Sequence, residues 1–264
     1  MFIGNVQCWG ATEKLHIILI CLKAYSGVGL TTEKLTMKGE EIKLRRNPLL
    51  FLYIIMGSKI DKNEILKIVT EAAKLYKSNL CYNDVLFVYK TENEYDYIEV
   101  TFKPENFLHL TGLNYLSHKH SAKDFLNKCY KNRIRIEDFE VKNGSYYYYK
   151  FDIIITLMNI YKNARMIGDY NNNRVNLLVD KLTGGACGFM GMKLIDNYKY
   201  CPAAIIKDDI RQNVNHCNSI IAILKKHYRD AYYTDVTYCK KLISIDEIVR
   251  NINLKNDIIR LKHN

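Results

Sequence analysis

Gly188-Phe189-Met190-Gly191-Met192-Lys193-Leu194-Ile195-Asp196-Asn197-Tyr198-Lys199-Tyr200-Cys201-Pro202-Ala203-Ala204-Ile205-Ile206 is the stretch whose reading decides the fold. Two apolar runs of strand type, Gly188–Ile195 and Tyr198–Ile206, are parted by Asp196-Asn197, residues that suit a tight turn, so the stretch reads as a β-hairpin. Runs of the same kind lie on both sides: Met166–Gly168, Val175–Val179, Ile220–Leu224 and Tyr232–Tyr238, with Asn171-Asn172-Asn173 as a further turn. Five or six strands in about 75 residues leave no room for crossover helices and imply an antiparallel sheet.

Upstream the period changes. Ile65, Leu66, Ile68, Val69, Ala72, Ala73, Leu75 and Tyr76 recur at helical spacing after Ser58, with Asp61 and Glu64 in the first turn. Val85–Tyr89 and Tyr95–Phe102 read as a hairpin turning at Asn93-Glu94, and Pro104 stops its second strand. Ser121 caps a helix over Ala122–Tyr130, and Phe151–Ala164 forms another, with Ile153, Ile154, Leu157, Met158 and Tyr161 toward a core. Ser244-Ile245-Asp246-Glu247 opens a last helix. The fold class is therefore α+β: N-terminal helices and a hairpin, then a twisted antiparallel sheet, then a C-terminal helix. Residues 1–57 read as an extension, with the functional domain expected to begin near Met56, possession of an early start codon being one explanation of the extra residues. The domain itself is divided into a mainly helical part (58–165), the sheet (166–240) and a helical tail (241–264).

Composition narrows the function. The chain has 264 residues with 48% hydrophobic and 25% charged residues, which excludes a disordered chain or a fibre. Lys plus Arg is 39 against 28 for Asp plus Glu, a net charge of +11 that attracts polyanions such as RNA or DNA. No apolar run reaches the length of a membrane span, and no secretory signal is evident, so the expectation is a cytoplasmic protein with no membrane partner. The eight cysteines contain no C-x-x-C pair and read as reduced thiols.

Several residues can carry chemistry. His109 lies between Leu108 and Leu110, a setting that suggests partial burial and a general base, though a core histidine bonded to a carbonyl fits as well. Thr111 either donates to a phosphate or satisfies the turn before Gly112. Lys207-Asp208-Asp209-Ile210-Arg211 follows a strand; one helical turn would point Lys207 and Arg211 at one phosphate, while a salt-bridged surface turn is the plainer alternative. Asp180-Lys181-Leu182-Thr183-Gly184-Gly185 ends a strand in a lysine and glycines without P-loop spacing. Strand alternation allows only one of Lys225 and Lys226 to face the side of Ile221 and Ile223. Tyr233 and Tyr238 offer stacking surfaces beside these cations. His118 and His120 lack partners for a metal site, and lysines stand where a two-metal nuclease needs carboxylates.

Taken in order, Asn106-Phe107-Leu108-His109-Leu110-Thr111-Gly112, Ser121-Ala122-Lys123-Asp124-Phe125, Met166-Ile167-Gly168-Asp169-Tyr170-Asn171, Asp180-Lys181-Leu182 and Ile206-Lys207-Asp208-Asp209-Ile210-Arg211 resemble the fourth phage-associated branch of the barnase, EndoU, colicin-nuclease and RelE-like superfamily. The resemblance runs from about Ser58 to about Val249. It implies helices followed by a curved antiparallel sheet, and a metal-independent, toxin-like endoribonuclease needing no cofactor. RNA (tRNA or mRNA) is the implied partner, with an immunity or antitoxin protein as a second. On this resemblance His109, Lys207, Arg211, Lys225 and Tyr238 take catalytic roles, and Thr111, Lys181, Asp209 and Tyr233 contact substrate. The alternative is a catalytically inactive module of phage origin that binds nucleic acid or protein.

Overall fold

The computed structural model describes residues 35–37, 40–42, 61–92, 94–116, 121–142, 146–173, 177–197, 199–241 and 243–251. The chain divides into two units, Met1–Lys59 and Ile60–Asn264. In the first, β1 (Leu35–Met37) and β2 (Glu40–Ile42) pair antiparallel. Ser58, His118 and His120 lie outside the described residues.

The second unit starts with α1 (Lys62–Asn79), whose N-cap is Asp61. Its apolar spacing buries Ile65, Val69, Ala72, Ala73 and Tyr76 on one face. The hairpin β3 (Asn83–Lys90) and β4 (Tyr95–Phe102) follows. Next come α2 (Asn106–Thr111), β5 (Leu113–Tyr115), α3 (Ala122–Tyr130) and β6 (Phe139–Val141), with β5 and β6 paired. Ser121 and Asp124 form a reciprocal capping box at the start of α3. The helix expected over Phe151–Ala164 is two: α4 (Tyr146–Leu157) and α5 (Ile160–Asn163).

The remaining strands are β7 (Met166–Asp169), β8 (Lys181–Gly184), β9 (Phe189–Asp196), β10 (Lys199–Ile206), β11 (Asn218–His227) and β12 (Asp235–Cys239), and α6 (Ile245–Asn251) closes the described chain. They form one eight-stranded sheet in the order β12-β11-β3-β4-β10-β9-β8-β7, and β11 also pairs with β7, so the sheet curls into a barrel-like closure.

Three details differ from the sequence reading. The β3–β4 hairpin is not a separate element; it sits at the sheet centre between β11 and β10. Six consecutive buried residues of β3, Asp84–Tyr89, have both faces covered, which is why this run lacks alternation. The β4–β10 junction is parallel, pairing Glu99 with Lys199 and Val100 with Tyr200. Leu177–Val179 forms no strand, and the rest of the Val175–Val179 run is outside the described residues.

The core fills the concave side. Val85, Phe87, Tyr89, Ile98, Val100, Phe102, Ile167, Met190, Met192, Ile205, Ile220 and Ile223 meet the buried faces of α1 to α4 there. An aromatic chain holds the helices to the sheet: Tyr76 lies 6.3 Å from Phe102 and 5.2 Å from Phe107, and Phe107 lies 6.1 Å from Phe125. Tyr76 Oη donates to the Lys103 carbonyl at 2.7 Å. This packing fixes α2, and with it the histidine motif.

Candidate nucleic-acid interface

The histidine motif is built by a short helix and its stop. Gly112 takes a left-handed backbone (φ 72°) at the C-cap of α2. A Cβ there would lie 2.7 Å from Tyr147 Cδ1 and 3.1 Å from Lys150 Cδ, so only glycine lets α4 pack this closely. Thr111 is fully buried; its hydroxyl donates to the Leu108 carbonyl at 2.7 Å and accepts from the Leu113 N–H at 3.2 Å. The turn therefore already uses the Thr111 hydroxyl. His109 stands exposed, not part-buried between its leucine neighbours, because on a helix Leu108 and Leu110 turn to other faces.

α4 links this motif to the cation that follows β10. Lys150 packs under Gly112, and two residues on, Asp152 holds Lys207 Nζ at 2.7 Å. Lys150 is buried, and burial, with Lys142 second, pulls its ammonium down to about 8. Arg211 does not join Lys207 on a helical turn. The segment is a 3₁₀ turn, Ile210–Gln212, capped by Asp209, whose carboxylate grips the Arg211 guanidinium at 2.6 and 3.0 Å. That grip and the Arg211 N–H lower the Asp209 carboxyl below its ordinary range.

Lys207 and Arg165 flank one rim of the sheet. Register places Met166, Gly184, Phe189 and Ile206 in a row across β7, β8, β9 and β10. Arg165 precedes the first and Lys207 follows the last, so about 14 Å of rim separates them at ordinary strand spacing. Beyond Arg165 the rim continues into a cluster on α5, β11 and β12. The Arg165 guanidinium stacks 3.8 Å from the Tyr238 ring centroid, and Lys225 Nζ lies 4.6 Å from that of Tyr161. Asp235 stands 3.7 Å from Lys225 Nζ, and Thr237 Oγ1 donates to the Tyr161 carbonyl, tying β12 to α5.

The structure thus unites Lys225 and Tyr238 through Tyr161 and Arg165, and associates the histidine motif with Lys207 through α4. Lys181 lies elsewhere, at the opposite end of β8 from the Gly184 rim, paired with Asp169 at 2.6 Å. Tyr233 is also apart. It is fully buried on the other side of β11, where Lys226 Nζ lies 4.8 Å from its ring and 3.9 Å from Asp84. Lys225 and Lys226 thus face opposite sides, as alternation requires, but a register shift between Ile220 and Ala222 moves Ile221 away from the side of Ile223. Tyr233 Oη donates to Glu99 Oε2 at 2.7 Å, and burial followed by Glu99 raises the phenol pKa.

Sequence reasoning missed Arg165, Asp152 and Lys150. Arg165 adjoins the Met166-Ile167-Gly168 motif, a signal that was present; Lys150 and Asp152 become notable only through what they touch. Among the described residues no group of three His, Cys, Asp or Glu side chains is placed to hold a metal ion, and no helix is long and apolar enough to cross a membrane.

Residues 68–242 match the family model described as phage-Barnase-EndoU-ColicinE5/D-RelE like nuclease 4. The chain belongs to this nuclease family. The match covers α1 from Ile68, α2 to α5, the whole eight-stranded sheet and both cation clusters of the rim. No curated protein and no solved structure matches the chain.

Proposed function

We propose that this nuclease-family chain is an endoribonuclease that cleaves RNA by attack of a ribose 2′-hydroxyl on the adjacent phosphorus, without a divalent ion. The observation that carries the reading is the interleaving of Arg165 and Lys225 with Tyr238 and Tyr161 along one rim. Cations beside aromatic faces suit a chain of phosphates and bases. In this reading His109 accepts the 2′-hydroxyl proton; Lys225, in the cluster that holds Arg165, offsets charge developing on the phosphorane, and Tyr238 assists the leaving 5′-oxygen, while Lys207 and Arg211, farther along the rim, hold neighbouring phosphates of the same strand. Thr111 acts by fixing the turn that carries His109. Lys181, Asp209 and Tyr233 act on substrate through the frame they stabilise, Asp209 by aiming Arg211. The product is a 2′,3′-cyclic phosphate.

Full-length protein incubated with tRNA and mRNA, with and without EDTA, tests this. Cyclic-phosphate ends formed equally in EDTA are the expected result; an inert enzyme, or cleavage abolished by EDTA, refutes it. A second reading rests on the carboxylate beside each of four cations: Asp169 at Lys181, Asp152 at Lys207, Asp209 at Arg211 and Asp235 at Lys225. Cations engaged in this way offer less to a developing phosphorane, while Arg165, held by the Lys162 and Ala164 carbonyls and the Tyr238 ring, still attracts phosphates, which favours a module that holds RNA without cutting it. Salt-dependent binding with no cleavage would select that reading.

A further inference from the structure

Beyond Lys225 the same strand leads to a second aromatic surface. Tyr82 and Tyr228 are both exposed, at 37% and 41%, and their rings lie 5.7 Å apart at an interplanar angle of 33°. Tyr82 holds a left-handed backbone (φ 64°), a conformation that disfavours a bulky side chain; the other described non-glycine residues with positive φ are all asparagines. The Tyr228 N–H donates to the Tyr82 carbonyl at 3.0 Å, so the strained residue and its stacking partner are held together. The His227 ring lies 4.7 Å from that of Tyr228. Arg229 sits 5.4 Å from the Tyr228 ring centroid and donates Nε–H to its hydroxyl at 2.9 Å. The Arg229 N–H donates to His227 Nδ1 at 3.4 Å. His227 and Arg229 are exposed, and Asp230 is the acid next to them in the chain.

We propose that Tyr82 and Tyr228 form a base-stacking subsite for single-stranded RNA, with Arg229 and His227 contacting its phosphates. Tyr228 lies in the turn just past β11, three residues after Lys225 and so no more than about 10 Å from it along the chain, at the end of the sheet where His227 pairs with Asn83 and Asn83 with Phe102. Stacking on two tyrosines makes no demand on base identity, and the Arg229 guanidinium carries the charge that attracts a polynucleotide. The subsite deepens the endoribonuclease reading by supplying its single-strand preference, and it rests on that reading only for its link to cleavage.

The test is binding of 2′-O-methyl oligouridylate, which lacks the attacking hydroxyl, compared with an abasic strand of equal length. Tyr82→Gly removes one ring while suiting the left-handed backbone, so it folds at least as well as the native chain; Tyr228→Leu removes the other. Each variant is expected to bind the oligouridylate about tenfold more weakly while all three proteins bind the abasic strand alike. Native affinity for oligouridylate in Tyr82→Gly overturns the proposal, as does an equal loss on the abasic strand. Cleavage of unmodified RNA is measured separately. A chain that cuts nothing yet loses binding in Tyr82→Gly defeats the nuclease reading and leaves the subsite standing.

Discussion

Arg165 and Tyr238 stack at 3.8 Å, and the same guanidinium donates from one terminal nitrogen to the Lys162 and Ala164 carbonyls at 2.8 Å. The backbone bonds set the plane of the fork, and the ring covers one of its faces. Lysine reproduces neither the fork nor the stack. Arg165→Lys is therefore expected to lower kcat/KM on RNA about 10–100-fold, and Tyr238→Ala to match it, while Tyr238→Phe retains most binding. Cleavage rates of Tyr238→Ala equal to those of the native chain would remove the pair from the site.

His109 makes no packing contribution comparable to that of Phe107 or Leu110, because it points outward from α2. His109→Ala should leave the melting temperature within a degree or two and reduce kcat about 10²–10⁴-fold if it transfers the proton. A folded variant with full activity shows that another group is the base.

Lys225 and Lys226 separate binding from stability. Lys225→Ala is expected to weaken RNA binding and to reduce the slope of log affinity against log salt by about one unit. Lys226→Ala leaves that slope unchanged and instead lowers stability by about 1–3 kcal/mol, since Asp84 is buried beside it. Equal salt slopes in both variants would show that the two faces of β11 do not differ in this way.

Gly112→Ala combines a left-handed backbone with a Cβ 2.7 Å from Tyr147. Its expected cost is about 2–4 kcal/mol in urea unfolding, because both strain and overpacking act. A loss below about 0.5 kcal/mol would mean that α2 and α4 separate readily.

Lys150 gives stability a defined pH dependence. Its folded pKa, about 8, lies below the ordinary lysine value. Between these values the unfolded chain binds a proton that the folded chain releases, so this group's contribution rises with pH from about 8 to about 10.5. Below pH 8 both states are protonated, and the fold bears the full cost of the buried charge. Lys150→Met should raise stability at pH 7 by up to about 3 kcal/mol, with the gain shrinking by pH 10. A gain that does not vary between pH 7 and pH 10 would show that the ammonium carries no burial cost.

Local chemistry determined much of this protein in advance. The apolar period of α1, the Ser121–Asp124 cap, the Asp196-Asn197 turn and the closely spaced strands are each set by residues near one another in sequence, so their elements are readable without a fold. The ordered motifs likewise pointed to the family that residues 68–242 match. Long-range pairing decided the rest. Nothing near Val85–Tyr89 says that β11 and β4 flank it, nothing near Glu99 that its partner strand runs parallel, and nothing near Lys207 that its carboxylate comes from α4, 55 positions away. The sign and spacing of the charges are properties of the chain. Which cation meets a tyrosine, which is neutralised by an aspartate and which lysine of a neighbouring pair faces the rim depend on strand register and its bulges, and those are fixed only when the sheet closes.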